Sequence, residues 1–233
     1  MISTKDIQSK GGSTAKTLNP GEHTVTIYNL GLEKVSYKEG AYHLVLNVEG
    51  PDMGSEFEGF FKNKDKPELG RHKGQIGRVK FGYYPFSDGV TKTGVKISRD
   101  ISILRAIQQI CIATDNMKWF EEADGKYETI EEFVNGANKA ITNSKTQIRI
   151  CTAGKEYEKD GYTKYDLFLP KSSMNSYAIE NASIEASKLM KFNPAEHIKK
   201  TEAKTVTQFG GNNDDVNPFM DSTPAPQSTE FEF

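Results

Sequence analysis

SRDISILRAIQQICIATD, residues 98–115, is where the chain changes its period. Ahead of it, apolar residues alternate. Within it, Ile101, Leu104, Ile107, Gln108, Cys111 and Ile112 recur at three-and-four spacing, the period of an amphipathic helix. Ser98 is placed to cap the first turn with its hydroxyl, and Asp100 adds a negative charge where the helix dipole favours one. A second helical pattern follows in TIEEFVNGANKAIT (129–142). It puts Ile130, Phe133, Val134, Ala137 and Ile141 on one side, with Thr129 as its cap.

Working outward, both flanks read as strands. EHTVTIYNLGLE (22–33) alternates with Val25, Ile27 and Leu30 toward one side. Tyr42, Leu44, Leu46 and Val48 alternate strictly between turn residues at KEG and EGPDMG. SEFEGFFKN (55–63) reads as a third strand, residues 62–74 as a polar loop, and GRVKFGYYPF (77–86) as a further extended piece. After the helices, KTQIRICTAGKEYEKDGYTKYDLFLP (145–170) forms a hairpin about the Asp160–Gly161 turn. IENASIEASKLMKF (179–192) reads as a short helix.

The order is therefore three or four strands, helices inserted at about 98–141, and a closing strand pair. The expected class is mainly β with inserted helices (α+β). An OB-fold, the five-stranded Greek-key barrel with a helix between its third and fourth strands, has this order, and another α+β sheet layout also accommodates it. The expected organisation is a flexible arm over 1–20, a folded body over 21–192 and a disordered acidic tail over 201–233.

The net charge of −2 hides an asymmetry. Val206–Phe233 holds five acids (Asp214, Asp215, Asp221, Glu230, Glu232) and no Lys or Arg. Setting those five charges aside turns −2 into +3 for residues 1–205. Two cysteines, Cys111 and Cys151, sit in apolar runs and read as buried thiols. The four histidines have no metal-ligand spacing, so no metal and no cofactor are expected. No apolar stretch reaches the ~20 residues that span a bilayer, which points to a soluble cytoplasmic protein without a membrane partner. No nucleophile elbow, phosphate loop or dinucleotide motif occurs, and no enzyme is expected.

Residues 60–86 interleave two chemistries. Seven cations (Lys62, Lys64, Lys66, Arg71, Lys73, Arg78, Lys80) face two acids, with Phe60, Phe61, Phe81, Tyr83, Tyr84 and Phe86 among them. Cations that track phosphates and rings that stack on bases are what single-stranded nucleic acid requires. Adjacent strand residues face opposite ways, so one of Tyr83 and Tyr84 is expected to leave the core. The hairpin repeats the theme, with Lys155, Lys159 and Lys164 beside Tyr157 and Tyr162.

VNPFMDSTPAPQSTEFEF then ends the sequence, with Phe219, Phe231 and Phe233 among its acids. A barrel-like body followed by an acidic tail that ends on an aromatic resembles the single-stranded DNA-binding proteins of bacteria and phages, and the phage-encoded members in particular. The resemblance rests on the strand–helix–strand order and on Asp214, Asp215, Asp221, Glu230, Glu232 and Phe233. It implies a protein that coats and protects single-stranded DNA during replication, recombination and repair, in the host cytoplasm if viral. It also implies a tail that recruits a polymerase, helicase or primase and competes with DNA for the basic groove. A homodimer is compatible with this reading. The alternatives are a phage virion structural or assembly protein, a strand-annealing recombination protein, and a nuclease acting on single strands.

Overall fold

The structure is a computed structural model that describes residues 16–53, 59, 61–63 and 70–200. The expected tail, most of the N-terminal arm, most of the strand expected at 55–63, and Lys64 lie outside the described residues. The protein is mainly β, with one mixed sheet and several helices.

β1 (Gly21–Lys34) is long enough to serve two partners. Its first half pairs with β6 (Gln147–Lys159) and its second half with β2 (Tyr42–Glu49), both antiparallel. A register shift between Ile27 and Asn29 separates the two pairings with β2. This bulge is why Val25, Ile27 and Leu30 are all buried although strict alternation would bury residue 29. It also leaves the Leu30 N–H to be satisfied, and Asn138 Oδ1 accepts it at 2.8 Å.

β2 continues to β3 (Ile76–Lys80), antiparallel. β3 runs parallel to β7 (Tyr162–Phe168) through Val79–Leu167 and Lys80–Phe168, and β7 returns antiparallel to β6. The pairings thus lead from β1 through β2, β3, β7 and β6 back to β1. The strand beside β2 is formed by residues 76–80, which overlaps the first four residues of the extended piece expected at 77–86. Gly77 packs closely there: a Cβ would lie 2.8 Å from Leu18 Cδ1 and 3.2 Å from Val48 Cγ2, so a larger residue would have to push the Leu18 side chain aside. A separate hairpin joins β4 (Gly89–Val90) and β5 (Lys96–Ile97).

The helices enter between β5 and β6. α1 (Arg99–Ala113) is capped by Ser98, whose hydroxyl accepts the Ile101 N–H at 3.4 Å. α2 (Met117–Glu122) is short. α3 (Ile130–Ser144) is capped by Thr129 and buries the five residues expected of it. In α1 the buried face is rotated from the expected one. Ile103, Ala106, Ile107, Ile110, Cys111 and Ala113 face the core, while Ile101, Gln108 and Ile112 face outward. α1 is apolar around most of its circumference, so more than one stripe satisfies the spacing and docking selects among them.

The helix expected at 179–192 does not form. Ile179–Asn181 is β8, paired antiparallel with β6, and Tyr177 bridges Leu189. Two local competitors displace the helix. The Asn181 side chain accepts the Ser183 N–H at 2.9 Å, a turn that opposes helical continuation. The buried Glu180 carboxylate gathers the Lys188 N–H at 3.0 Å, the Ser187 hydroxyl, and Arg149 at 2.9 Å. Beyond it, α4 (Pro194–His197) leads into β9 (Ile198–Lys199), which lies parallel against β6. Among the described residues no helix is long and apolar enough to cross a membrane.

Candidate nucleic-acid interface

The face turned away from the core follows from pairing. Val79 and Leu167 are opposite one another and buried, so Arg78, Lys80 and Asp166 beside them point outward. In the β6–β7 hairpin, Lys155 opposes Asp166, Tyr157 opposes Lys164 and Lys159 opposes Tyr162. Opposed residues share a face, so all five hairpin residues singled out in the sequence stand on one side, with Asp166. Glu156 and Tyr165 take the other side, 3.4 Å apart. The turn is made by Asp160 (φ 56°) and Gly161 (φ 75°), the left-handed pair that two-residue hairpins require.

Two cavities occupy this outer face. One, of about 690 Å³, is lined by Tyr37 and Lys38 from the β1–β2 loop, His43 from β2, Lys80 from the end of β3, Tyr84 from the bend that follows it, and Lys155 from β6. The other, of about 580 Å³, holds Tyr28, Phe61, Arg78, Tyr157 and Lys164. Asp166 lines both.

Two cations of the surface already have carboxylate partners. Arg78 forms a bidentate ion pair with Glu33, and Lys80 Nζ lies 3.4 Å from Asp166. Lys38 Nζ donates to Ser87 Oγ at 2.8 Å. Burial holds the His43 imidazole below its ordinary pKa, and the nearby Lys80 lowers it further. His43 thus lines the larger cavity beside Lys38, Lys80 and Lys155, where its protonated form is disfavoured.

Tyr83 and Tyr84 lie in a bend beyond the end of β3, so strand alternation does not set their directions, and the two differ in exposure. Tyr84 is 75% exposed. It stands edge-on to Tyr83 at 4.8 Å, and Tyr83 packs edge-on against Phe168 at 5.1 Å. Lys199 Nζ sits 3.7 Å from the Tyr83 ring centroid. Tyr84 is the more accessible ring, with Lys199 Nζ 5.9 Å from its centroid, whereas Lys199 sits closely over one face of Tyr83. Tyr162 (71% exposed) and Tyr157 (38%) are the accessible rings of the hairpin.

The remaining candidates sit apart. Lys62 and Arg71 bridge each other through their backbones in a loop that Glu49 anchors. Glu49 Oε1 accepts the Lys73 and Gly74 N–H groups at 2.7 and 3.0 Å, and Oε2 bonds His72 Nδ1 at 2.8 Å. Lys62, Arg71, Lys73, Lys159 and Tyr162 line neither cavity.

The structure adds four residues that the sequence reading passed over. His43 alternates with Tyr42 and Leu44, so its outward direction was readable. Lys38 falls in the KEG turn and Tyr37 immediately before it, where no apolar period selects either. Lys199 had no local signal at all. Among the described residues no group of three or more His, Cys, Asp or Glu side chains is arranged to hold a metal. Compared with models of known protein families and with curated proteins, the chain gives no match.

Proposed function

We propose that this chain binds single-stranded DNA along the outer face of β2, β3, β7 and β6, and that it coats and protects DNA without acting on it as an enzyme. One observation carries the reading. Three segments far apart in sequence (the 35–41 loop, residues 80–84 and the β6–β7 hairpin) bring lysines and accessible tyrosines into one groove. Lysines neutralise phosphates and release their counterions, and tyrosines stack on bases without regard to sequence.

On this reading the pairing circuit β1–β2–β3–β7–β6–β1, with helices between its third and fourth long strands, is an OB-type five-stranded Greek-key barrel. The 35–41 loop and the β6–β7 hairpin then flank the groove as the binding loops of that fold. The acidic, aromatic-ended segment at 214–233 recruits a replication protein such as a polymerase, helicase or primase. The setting is phage DNA replication and recombination in the host cytoplasm.

The test is fluorescence anisotropy of the full chain on a labelled ~30-nucleotide single strand, with the matching duplex as competitor, across a salt series. About five groove cations predict a slope of log affinity against log salt of roughly −3 to −4. Binding that the duplex competes equally well, or that ignores salt, would remove the reading. For the tail, deletion of residues 214–233 is expected to abolish capture of the replication protein, and retained capture would show that the hook lies elsewhere.

A further inference from the structure

The concave surface does not stop at the sheet. Tyr83, Tyr84 and Phe168 also line a cavity of about 630 Å³ that runs past Lys171 and Lys199. That cavity shares Gln109, Ser172 and Ile179 with another of about 640 Å³, set between the C-terminal end of α1 and the 172–188 segment. We propose that this α1–β8 cleft is a second base-binding section of the same nucleic-acid track, so that a strand leaving the sheet groove crosses β9 and lays its bases there. The inference rests on the single-strand reading above and extends it to a site that lies outside the sheet.

The chemistry of the cleft fits a base with its phosphate outside. Tyr177 lines it, 39% exposed, with the side chains of Ile112 (60% exposed) and Ile184 (44%) beside it. These residues are exposed at the edge of the core, which Ala113 and Ile179 reach in the same cleft, where a soluble surface ordinarily carries polar ones. The cations stand along the route: Lys171 and Lys199 on the connecting stretch and Lys188 at the cleft. Glu180, the carboxylate of the cleft, is buried and neutralised by Arg149 at 2.9 Å, so it does not repel a phosphate at the rim. Glu196 is the one carboxylate lining the connecting stretch, against two lysines. An apolar peptide would fit the cleft alone. Continuity with the groove and the lysine-marked route between them favour a polyanion with stacking faces.

The position of the cleft has a consequence that separates it from the groove. A strand short enough to be held by the sheet groove does not reach it, whereas a longer one does. The experiment measures binding of the full chain to labelled (dT)8 and (dT)20 by anisotropy, for wild type, Tyr177→Ala and Ile112→Glu. Ile112 is exposed on α1, so its replacement leaves the core intact and sets a carboxylate in the cleft. Thermal unfolding of each variant checks the fold. The expected result is (dT)8 affinity within twofold of wild type and (dT)20 affinity lowered about tenfold in both variants, the loss of roughly one stacked base. If both variants bind (dT)20 as wild type does, the cleft takes no nucleic acid and the proposal fails while the groove reading stands. An equal loss at both lengths overturns the placement at the end of the track. Failure of the wild type to bind either strand removes the groove reading itself.

Discussion

Asp166 is the carboxylate in the middle of the groove, and its removal is expected to tighten binding. Its side chain is about half exposed and lies 3.4 Å from Lys80 Nζ, where it holds a cation that DNA must recruit. A phosphate approaching Lys80 from the groove at a similar distance would come within roughly 6 Å of that carboxylate. At an effective dielectric of about 40–80, two like charges at that separation repel by ~0.7–1.4 kcal/mol, a factor of about 3–10 in Kd. Asp166→Asn keeps the shape and removes the charge. The expected outcome is a Kd for a ~30-nucleotide strand lowered about 3–10-fold at low salt, with a salt slope steeper by about 0.7 because Lys80 then exchanges a counterion for a phosphate. The cost to folding is small, since exposed ion pairs contribute about 0–1 kcal/mol. Anisotropy titrations at four or more salt concentrations read both quantities. A variant that binds equally or more weakly with an unchanged slope would refute the argument, because it would mean that phosphates do not pass Lys80.

Tyr84→Ala should weaken binding by about 1–3 kcal/mol, the range for one stacked base, with the salt slope unchanged; a loss of slope instead of affinity would reassign the residue. Its ring is mostly exposed, so Tm should move by no more than about 1–2 °C in a thermal melt. His43 carries a pH signature. Its free-state pKa lies below 6.5, from burial and then Lys80, and a phosphate nearby raises it, so binding takes up a proton and tightens as pH falls below about 6.5. Folding responds in the opposite sense over that window, because the depressed folded-state pKa removes stability as pH falls, and His43→Gln should flatten both trends. Burial pushes the Cys111 thiol up to about 12 and the Cys151 thiol up to about 11, so a thiol reagent at pH 8 should label neither until denaturant is added. Stability should decline as pH rises above about 9, where the unfolded chain ionises these thiols and the folded chain does not.

The features readable in the sequence are those whose physics is local. α3 buries the residues its period selects, and Thr129 caps it, because spacing and capping act within a few residues. The Asp160–Gly161 turn follows from the left-handed backbone that this pair tolerates. Alternation in β2 directed Tyr42, Leu44, Leu46 and Val48 inward, and all four are buried. Local reasoning failed where a distant group competes. At 179–181 the choice of strand over helix depends on pairing with β6 and on Arg149 reaching Glu180, some thirty residues away in sequence.

The candidate site divides in the same way. By itself, the sequence determined the composition of the site: lysines interleaved with aromatics around 60–86 and 155–164, and the outward direction of alternate strand residues. Only the tertiary structure decided which of them meet. It brought Lys80, Tyr84 and Lys155 into one cavity with Tyr37, Lys38 and His43, left Lys62 and Arg71 on a loop tied down by Glu49, and set Lys199 over Tyr83. The physical reason is that a strand's period determines which side of the sheet a residue occupies, whereas its neighbours on that side are set by pairing between segments far apart in the chain.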